Sequence, residues 1–284
     1  MTSAKTLSLR VANCQYTALA DEGATLDLIL PMIAEAVSQG AEMICLPECA
    51  TRMESNRHSL LAKSQTEADS QSLNILQQTA KTHGCWLLVG SLLLRADDQN
   101  DRMVNRCFLI KPDGNIRAHY DKIHMFDVEV NDGQTYRESH SFDHGHHAAL
   151  VDMGGWNLGL TICYDLRFPH LYRQLAQAGA DMITIPAAFT KVTGEAHWHP
   201  LMRARAIENG VFIVSPAQCG THAGDRQTYG HALMVDPWGR VLSDAGETPA
   251  VTVETLDFSA ISKARGAIPS LGNTAGDDIS LKMF

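Results

Sequence analysis

A chain of 284 residues with a formal net charge of −9 and no run of Lys and Arg argues against a nucleic-acid partner, which needs a basic face. Its 45% apolar and 19% charged fractions are ordinary for a soluble globular protein with a substantial core, and no apolar run is long enough to span a bilayer. Seven scattered cysteines, an odd number with no Cys-x-x-Cys pair, argue against a disulfide scaffold or structural zinc.

The opening Met1-Thr2-Ser3-Ala4-Lys5 leads straight into a strand candidate, Leu7 to Asn13. It lacks the apolar stretch and cleavage site of a secretory signal, so a cytoplasmic address is the expectation. Apolar residues at helical spacing follow from Leu28 to Val37, then the strand-like Gln39-Gly40-Ala41-Glu42-Met43-Ile44-Cys45-Leu46-Pro47. Cys85 to Ser91 reads as a strand, and Arg106 to Ile116 as a hairpin turning at Pro112-Asp113-Gly114. The same succession then recurs. Trp156 to Ile162 is a strand, Leu171 to Ala176 a helical segment, and Ala178-Gly179-Ala180-Asp181-Met182-Ile183-Thr184-Ile185-Pro186 matches the earlier Gly-Ala-acidic-Met-Ile string. Leu201 to Glu208 has helical spacing and stops at Asn209-Gly210. Val211 to Ser215 resembles Cys85 to Ser91, and His231 to Val241, with Pro237-Trp238-Gly239, resembles the first hairpin.

Each half thus reads strand–helix–strand–helix–strand–strand, with no linker between the halves. Helices between strands favour parallel pairing, and two similar sheets with apolar inner faces pack most simply on each other. The expected fold is α/β: a four-layer α-β-β-α sandwich with an internal pseudo-two-fold repeat, residues 1–284 forming a single domain.

The halves differ in their reactive groups. Glu48 follows one Leu-Pro pair where the second copy has Ala187 after Ile-Pro. A carboxylate after that apolar strand is either a helix N-cap or a group pointing into a cleft, where burial would fit it for proton transfer. Cys163 ends the run Leu158-Gly159-Leu160-Thr161-Ile162 and precedes a helix. It is either a buried strand-end thiol or a nucleophile exposed by a sharp strand-to-helix turn. Lys122, in Tyr120-Asp121-Lys122-Ile123-His124-Met125-Phe126-Asp127, is either a solvated charge or an inward-facing ammonium suited to stabilise an oxyanion. The stretch His144-Gly145-His146-His147 suggests a metal at first sight, but its polar connector lacks acidic or cysteine partners and reads as a solvated loop. His197 and Trp198 either line a pocket or pack at a helix start, and Arg167 either grips a substrate carboxylate or forms a structural ion pair.

Taken in order, Leu46-Pro47-Glu48, Tyr120-Asp121-Lys122-Ile123-His124-Met125-Phe126-Asp127 and Gly159-Leu160-Thr161-Ile162-Cys163-Tyr164-Asp165-Leu166-Arg167-Phe168-Pro169 resemble the three catalytic signatures of the nitrilase superfamily of carbon–nitrogen hydrolases. The resemblance implies that Glu48 is the general base, Lys122 the oxyanion lysine and Cys163 the nucleophile. Glu138, in Tyr136-Arg137-Glu138-Ser139, matches the family's second glutamate, which either orients Lys122 or meets the substrate nitrogen. It also implies a thioester intermediate, an oxyanion contact from the Tyr164 backbone N–H, an αββα fold, a homodimer or higher homo-oligomer, and no metal or organic cofactor. The strings Thr193-Gly194-Glu195-Ala196-His197-Trp198, Arg203-Ala204-Arg205-Ala206-Ile207-Glu208, Ala217-Gln218-Cys219-Gly220 and Tyr229-Gly230-His231 resemble the Nit branch. That branch is associated with cleavage of deaminated glutathione to 2-oxoglutarate and cysteinylglycine. Cys49-Ala50-Thr51 departs from the branch's aromatic-containing stretch after the base. The tail Leu271-Gly272-Asn273-Thr274-Ala275-Gly276-Asp277-Asp278 lacks its basic ending, within a C-terminal segment of about 266–284 expected at the oligomer interface. Competing readings are an ω-amidase, an N-carbamoyl-amino-acid hydrolase, a true nitrilase, a papain-like Cys–His hydrolase, and a catalytically silent binding protein on the same fold.

Overall fold

A computed structural model describes residues 8–54, 56–96, 101–130, 133–273, 280 and 282–283. The opening Met1 to Lys5, Leu7 of the first strand candidate, and Thr274 to Asp278 of the tail lie outside the described residues. The first half runs β1 (Ser8–Gln15), α1 (Glu22–Ser38), β2 (Met43–Cys45), α2 (Arg57–Lys63), α3 (Gln71–His83), β3 (Trp86–Arg95), β4 (Met103–Ile110) and β5 (Ile116–Asp121). A connector follows with β6 (Asp127–Glu129), β7 (Thr135–Arg137), β8 (Phe142–Asp143) and β9 (Ala149–Asp152). The second half is β10 (Asn157–Leu160), α4 (Pro169–Gln177), β11 (Met182–Thr184), α5 (Lys191–Asn209), β12 (Phe212–Ser215), β13 (Cys219–Thr221), β14 (Gln227–Tyr229), β15 (Leu233–Val235) and β16 (Val241–Asp244). The strand β17 (Ala250–Asp257) and the helix α6 (Ser259–Ala267) end the regular structure.

The repeat is realised strand for strand. One sheet has the order β17-β1-β2-β3-β4-β5, with β8 added beside β4, and the other has the order β16-β15-β12-β11-β10-β9. In each, three parallel strands continue into two antiparallel ones, with Ile44 opposite Leu87 in the first sheet and Ile183 opposite Ile213 in the second. An antiparallel strand flanks the parallel set in both, β17 against β1 and β9 against β10. Alternation of side chains then builds the layers. Val11, Met43, Cys45 and Leu88 point to the core shared with the second sheet, while Ala12, Ile44, Leu87 and Val89 point to α1 and α3. Leu171, Leu175, Trp198 and Met202 of α4 and α5 cover the far side. The result is the expected α-β-β-α sandwich.

Local signals explain most of the boundaries. Asp21 caps α1 by accepting from the Ala24 N–H at 2.8 Å, and Gly84 ends α3 in the left-handed region at φ +62°. The helix expected to open at His197-Trp198 in fact begins at Lys191, despite Gly194 and Pro200 within it. Packing overrides propensity there, because a Cβ on Gly194 would stand 2.3 Å from the Tyr229 ring, so the glycine lets the helix lie against β14. No described helix is long and apolar enough to cross a membrane.

Candidate active site

Three segments from different parts of the chain converge at the carboxyl ends of the parallel strands, where open α/β sheets place their ligands. A cavity of about 210 Å³ is lined there by Glu48, Asn105, Lys122, Glu138, Cys163, Tyr164 and Arg226, among others. Glu48 is no helix cap, since Asn56 caps α2; its carboxyl points into the cleft with the residue only 4% exposed. Its Oε1 accepts from Lys122 Nζ at 2.9 Å and Asn105 Nδ2 at 3.0 Å, and its Oε2 from the Ala188 N–H at 2.9 Å. Gln218 Nε2 holds its carbonyl at 3.0 Å.

Lys122 leaves the end of β5 and is buried, with its backbone N–H on Asn105 O at 3.0 Å. Its ammonium lies between two carboxylates, Glu48 at 2.9 Å and Glu138 at 2.8 Å. Both oxygens of Glu138 reach Nζ, and Oε2 also accepts the Phe126 N–H at 2.7 Å. Glu138 therefore holds the lysine through both of its oxygens. Burial acts against the charge of Lys122, but the Glu138 and Glu48 carboxylates outweigh it and hold the ammonium well above the ordinary lysine range. Burial likewise acts against the charge of Glu48. The Lys122 ammonium overrides it, with help from Cys163 and Arg226, and holds the carboxyl below the ordinary range.

Cys163 begins a 3-10 turn, Cys163–Arg167, that leads into α4. It sits at φ +45°, a left-handed conformation that L side chains rarely adopt, with its N–H donated to Pro186 O at 2.9 Å. Burial pushes its thiol well up, the Glu48 carboxylate adds to the rise, and Lys122 opposes it. The two shifts point the same way: the thiol is held toward its neutral form and the Glu48 carboxyl toward its ionised form. Among the described residues no histidine lines this cavity, which leaves a Cys–His pairing without its base.

Three further residues went unread in the sequence. Asp165, fully buried, accepts from the Ile162 N–H at 2.9 Å, Tyr120 Oη at 2.7 Å and the His124 N–H at 3.0 Å, tying the Cys163 turn to the Lys122 loop. Asn105 bridges the two glutamates; its signal was a lone amide inside the apolar strand Met103–Ile110. Arg226 stands in the gap between two strings that the sequence reading used, Ala217 to Gly220 and Tyr229 to His231.

Arg167, His197 and Trp198 do not line the cavity. Trp198 is core, its Nε1 donating to His231 O at 2.8 Å and its ring tilted against Phe189. His197 is exposed on α5 beside Arg167 Nη1 at 3.3 Å, and the Arg167 guanidinium lies 5.1 Å over the Phe189 ring. Phe189 itself does line the cavity. The His144 to His147 stretch lies in the connector between β8 and β9. Among the described residues the grouping close enough to share a metal is elsewhere, His199, His231 and Asp244.

This fold and this convergence define a class, and the comparisons agree with it. The carbon–nitrogen hydrolase family model matches residues 10–266, and the chain belongs to that family, as a hydrolase of carbon–nitrogen bonds. Within it, the chain is 40% identical over 243 residues to a deaminated glutathione amidase of Synechocystis sp., covering 84% of this chain and 88% of that one. It is 35% identical over 262 residues to the human protein of the same name, covering 91% and 80%. The NitFhit protein of C. elegans superposes with a TM-score of 0.89 at 33% identity, over 98% of this chain and 67% of that one. An amidase from Nesterenkonia sp. gives a TM-score of 0.77 at 25% identity, over 95% and 97%.

Proposed function

We propose that this chain hydrolyses deaminated glutathione to 2-oxoglutarate and cysteinylglycine through a thioester on Cys163. The observation that carries the chemistry is the meeting of Cys163, Glu48 and Lys122 in one buried cavity, with the Glu48 carboxylate held by Lys122 at 2.9 Å. Glu48 takes the thiol proton as sulfur attacks the amide carbonyl carbon and the C–S bond forms. The developing oxyanion is met by Lys122 and the Tyr164 backbone N–H. An ammonium has three N–H donors, and when the two Glu138 oxygens share one and Glu48 takes another, the third is left for substrate. The C–N bond then breaks as protonated Glu48 returns its proton to the leaving nitrogen. Glu48 next deprotonates a water, which attacks the thioester; the C–S bond breaks and the proton goes back to sulfur. Every step runs on this chain's own side chains.

The substrate choice is supported by the relatives that share the Nit-type strings. A panel of deaminated glutathione, 2-oxoglutaramate, N-carbamoyl amino acids and simple nitriles, assayed by product release, tests it, with highest kcat/KM expected on the first. Cys163→Ala should keep the fold, lose turnover by roughly 10⁴-fold or more and show no acyl adduct by intact mass. Turnover persisting in that variant removes Cys163 from its role.

The core shared by the two sheets supports reading residues 1–284 as one domain. Three exposed apolar side chains, Ile207, Trp238 and Ile268, line a shallow depression together with Leu271. We assign the homodimer contact to this face, next to the C-terminal segment. All seven cysteines are free, which supports a reducing compartment, the cytoplasm.

A further inference from the structure

We propose that Arg226 selects substrates that carry a carboxylate on the acyl side of the scissile amide; this rests on the amidase reading above and names the feature its site recognises. Arg226 lies in the hairpin between β13 and β14, closed by the His222 N–H on Arg226 O at 2.8 Å. The buried His222 ring is fixed between Ala18 O at 3.0 Å and Thr228 Oγ1 at 2.8 Å, so the arginine stands on an anchored loop. Its Nη2 donates to Ala188 O at 2.9 Å, and its guanidinium faces the Tyr136 ring at 5.5 Å. Its Nε, however, is buried with no hydrogen-bond partner. Among the described residues no acid forms a salt bridge with it, although it lines the same cavity as Glu48, Lys122 and Cys163.

Arg52 and Arg95 also have an Nε buried without an acceptor, but of these three arginines only Arg226 lines the cavity, and the fork geometry of arginine matches a carboxylate. Among the described residues lining the cavity, no other guanidinium is both partly buried and without an acid partner. Lys122 is held by two glutamates, Arg137 pairs with Glu129 at 2.6 Å, and Arg57, on the exposed side, donates to Ser141 Oγ at 2.9 Å. Ala188 sets the spacing: its N–H bonds the Glu48 carboxylate while its carbonyl bonds Arg226. The base and the guanidinium thus stand on opposite sides of one residue. A carboxylate seated on Arg226 lies a short chain from the carbonyl facing Cys163, which describes the amide of a short dicarboxylic acid.

The test compares wild type with Arg226→Gln on two amides of equal acyl length, one ending in a carboxylate (2-oxoglutaramate) and one uncharged (pentanamide). The ratio of their kcat/KM values should fall by about 10- to 100-fold in the variant, through KM more than kcat. An equal loss on both amides, or an unchanged ratio, overturns the proposal and leaves Arg226 as a support for Ala188. Should Arg226→Gln fail to fold by circular dichroism, Arg226→Lys, which keeps charge but loses the fork, carries the same comparison. If wild type turns over neither these amides nor deaminated glutathione, the amidase reading fails separately; if it turns over deaminated glutathione alone, the proposal on Arg226 is still put to a direct test. The rate of Cys163 alkylation by anionic iodoacetate relative to neutral iodoacetamide then decides: the ratio falls in the variant if Arg226 attracts carboxylates, and an unchanged ratio overturns it.

Discussion

At the scale of single residues, the site is a problem in keeping charges apart in a buried place. The ammonium of Lys122 lies between two carboxylates, and this is what lets Glu48 stay ionised although burial alone would protonate it. A carboxyl held below its ordinary value stabilises the folded chain above the unfolded value of about 4.3, and that contribution is lost as pH falls through the folded value. The acidic limb of kcat/KM should therefore lie below about pH 4.3, and the urea midpoint should drop over the same range. A limb between pH 6 and 7 would contradict a carboxylate base held down by Lys122. Cys163 follows the opposite sign: burial raises its thiol, so iodoacetamide labelling should show no inflection in the ordinary thiol range near about 8.5. Proton removal during attack, rather than a standing thiolate, is the consequence.

At the scale of elements, the two halves meet through a glycine. A Cβ on Gly90 of β3 would stand 1.9 Å from Leu46 O, 2.7 Å from Pro47 C and 2.5 Å from Pro186 Cβ. Leu46-Pro47 leads to Glu48, and Pro186 O receives the Cys163 N–H at 2.9 Å. These are the corresponding Leu-Pro and Ile-Pro pairs of the repeat, so Gly90 lets the end of β2, which leads to Glu48, approach the end of β11, whose Pro186 holds the Cys163 N–H. Gly90→Ala should cost about 1–3 kcal/mol in urea unfolding, and it should lower kcat as the two ends part. Unaltered stability and rate would show that the backbone absorbs the methyl elsewhere. The same logic explains α5: Gly194 reads as a helix breaker locally, yet it is what allows the first turns to pack on Tyr229.

At the scale of the whole molecule, an apolar face carrying Trp238 at 61% and Ile207 at 51% exposure is costly to leave in water. A homodimer across it predicts that Trp238→Lys with Ile207→Glu shifts the mass measured by light scattering from dimer to monomer while kcat on the free protomer is retained in part. A wild-type protein that is monomeric at micromolar concentration would remove this face from the interface.

Much of this protein was determined by the sequence alone. The duplicated succession of strands and helices rests on local periodicity and turn residues, so two packed sheets and the placement of Glu48 and Cys163 at strand ends were legible from it, whereas the return of β17 to flank β1 was not. Glu138 came only from the resemblance to a family, since nothing local marks its carboxyl as inward-facing. Tertiary structure decided the rest, for a physical reason: a hydrogen-bond partner or a cation's neighbour is defined by through-space distance, to which chain separation gives no guide. Asp165 and Tyr120 meet at 2.7 Å from opposite sheets, and the base meets Ala188 at 2.9 Å across the repeat. Only the folded chain could show that Trp198 is core, that His197 faces outward, and that Arg226 lines the cavity with its Nε unpartnered.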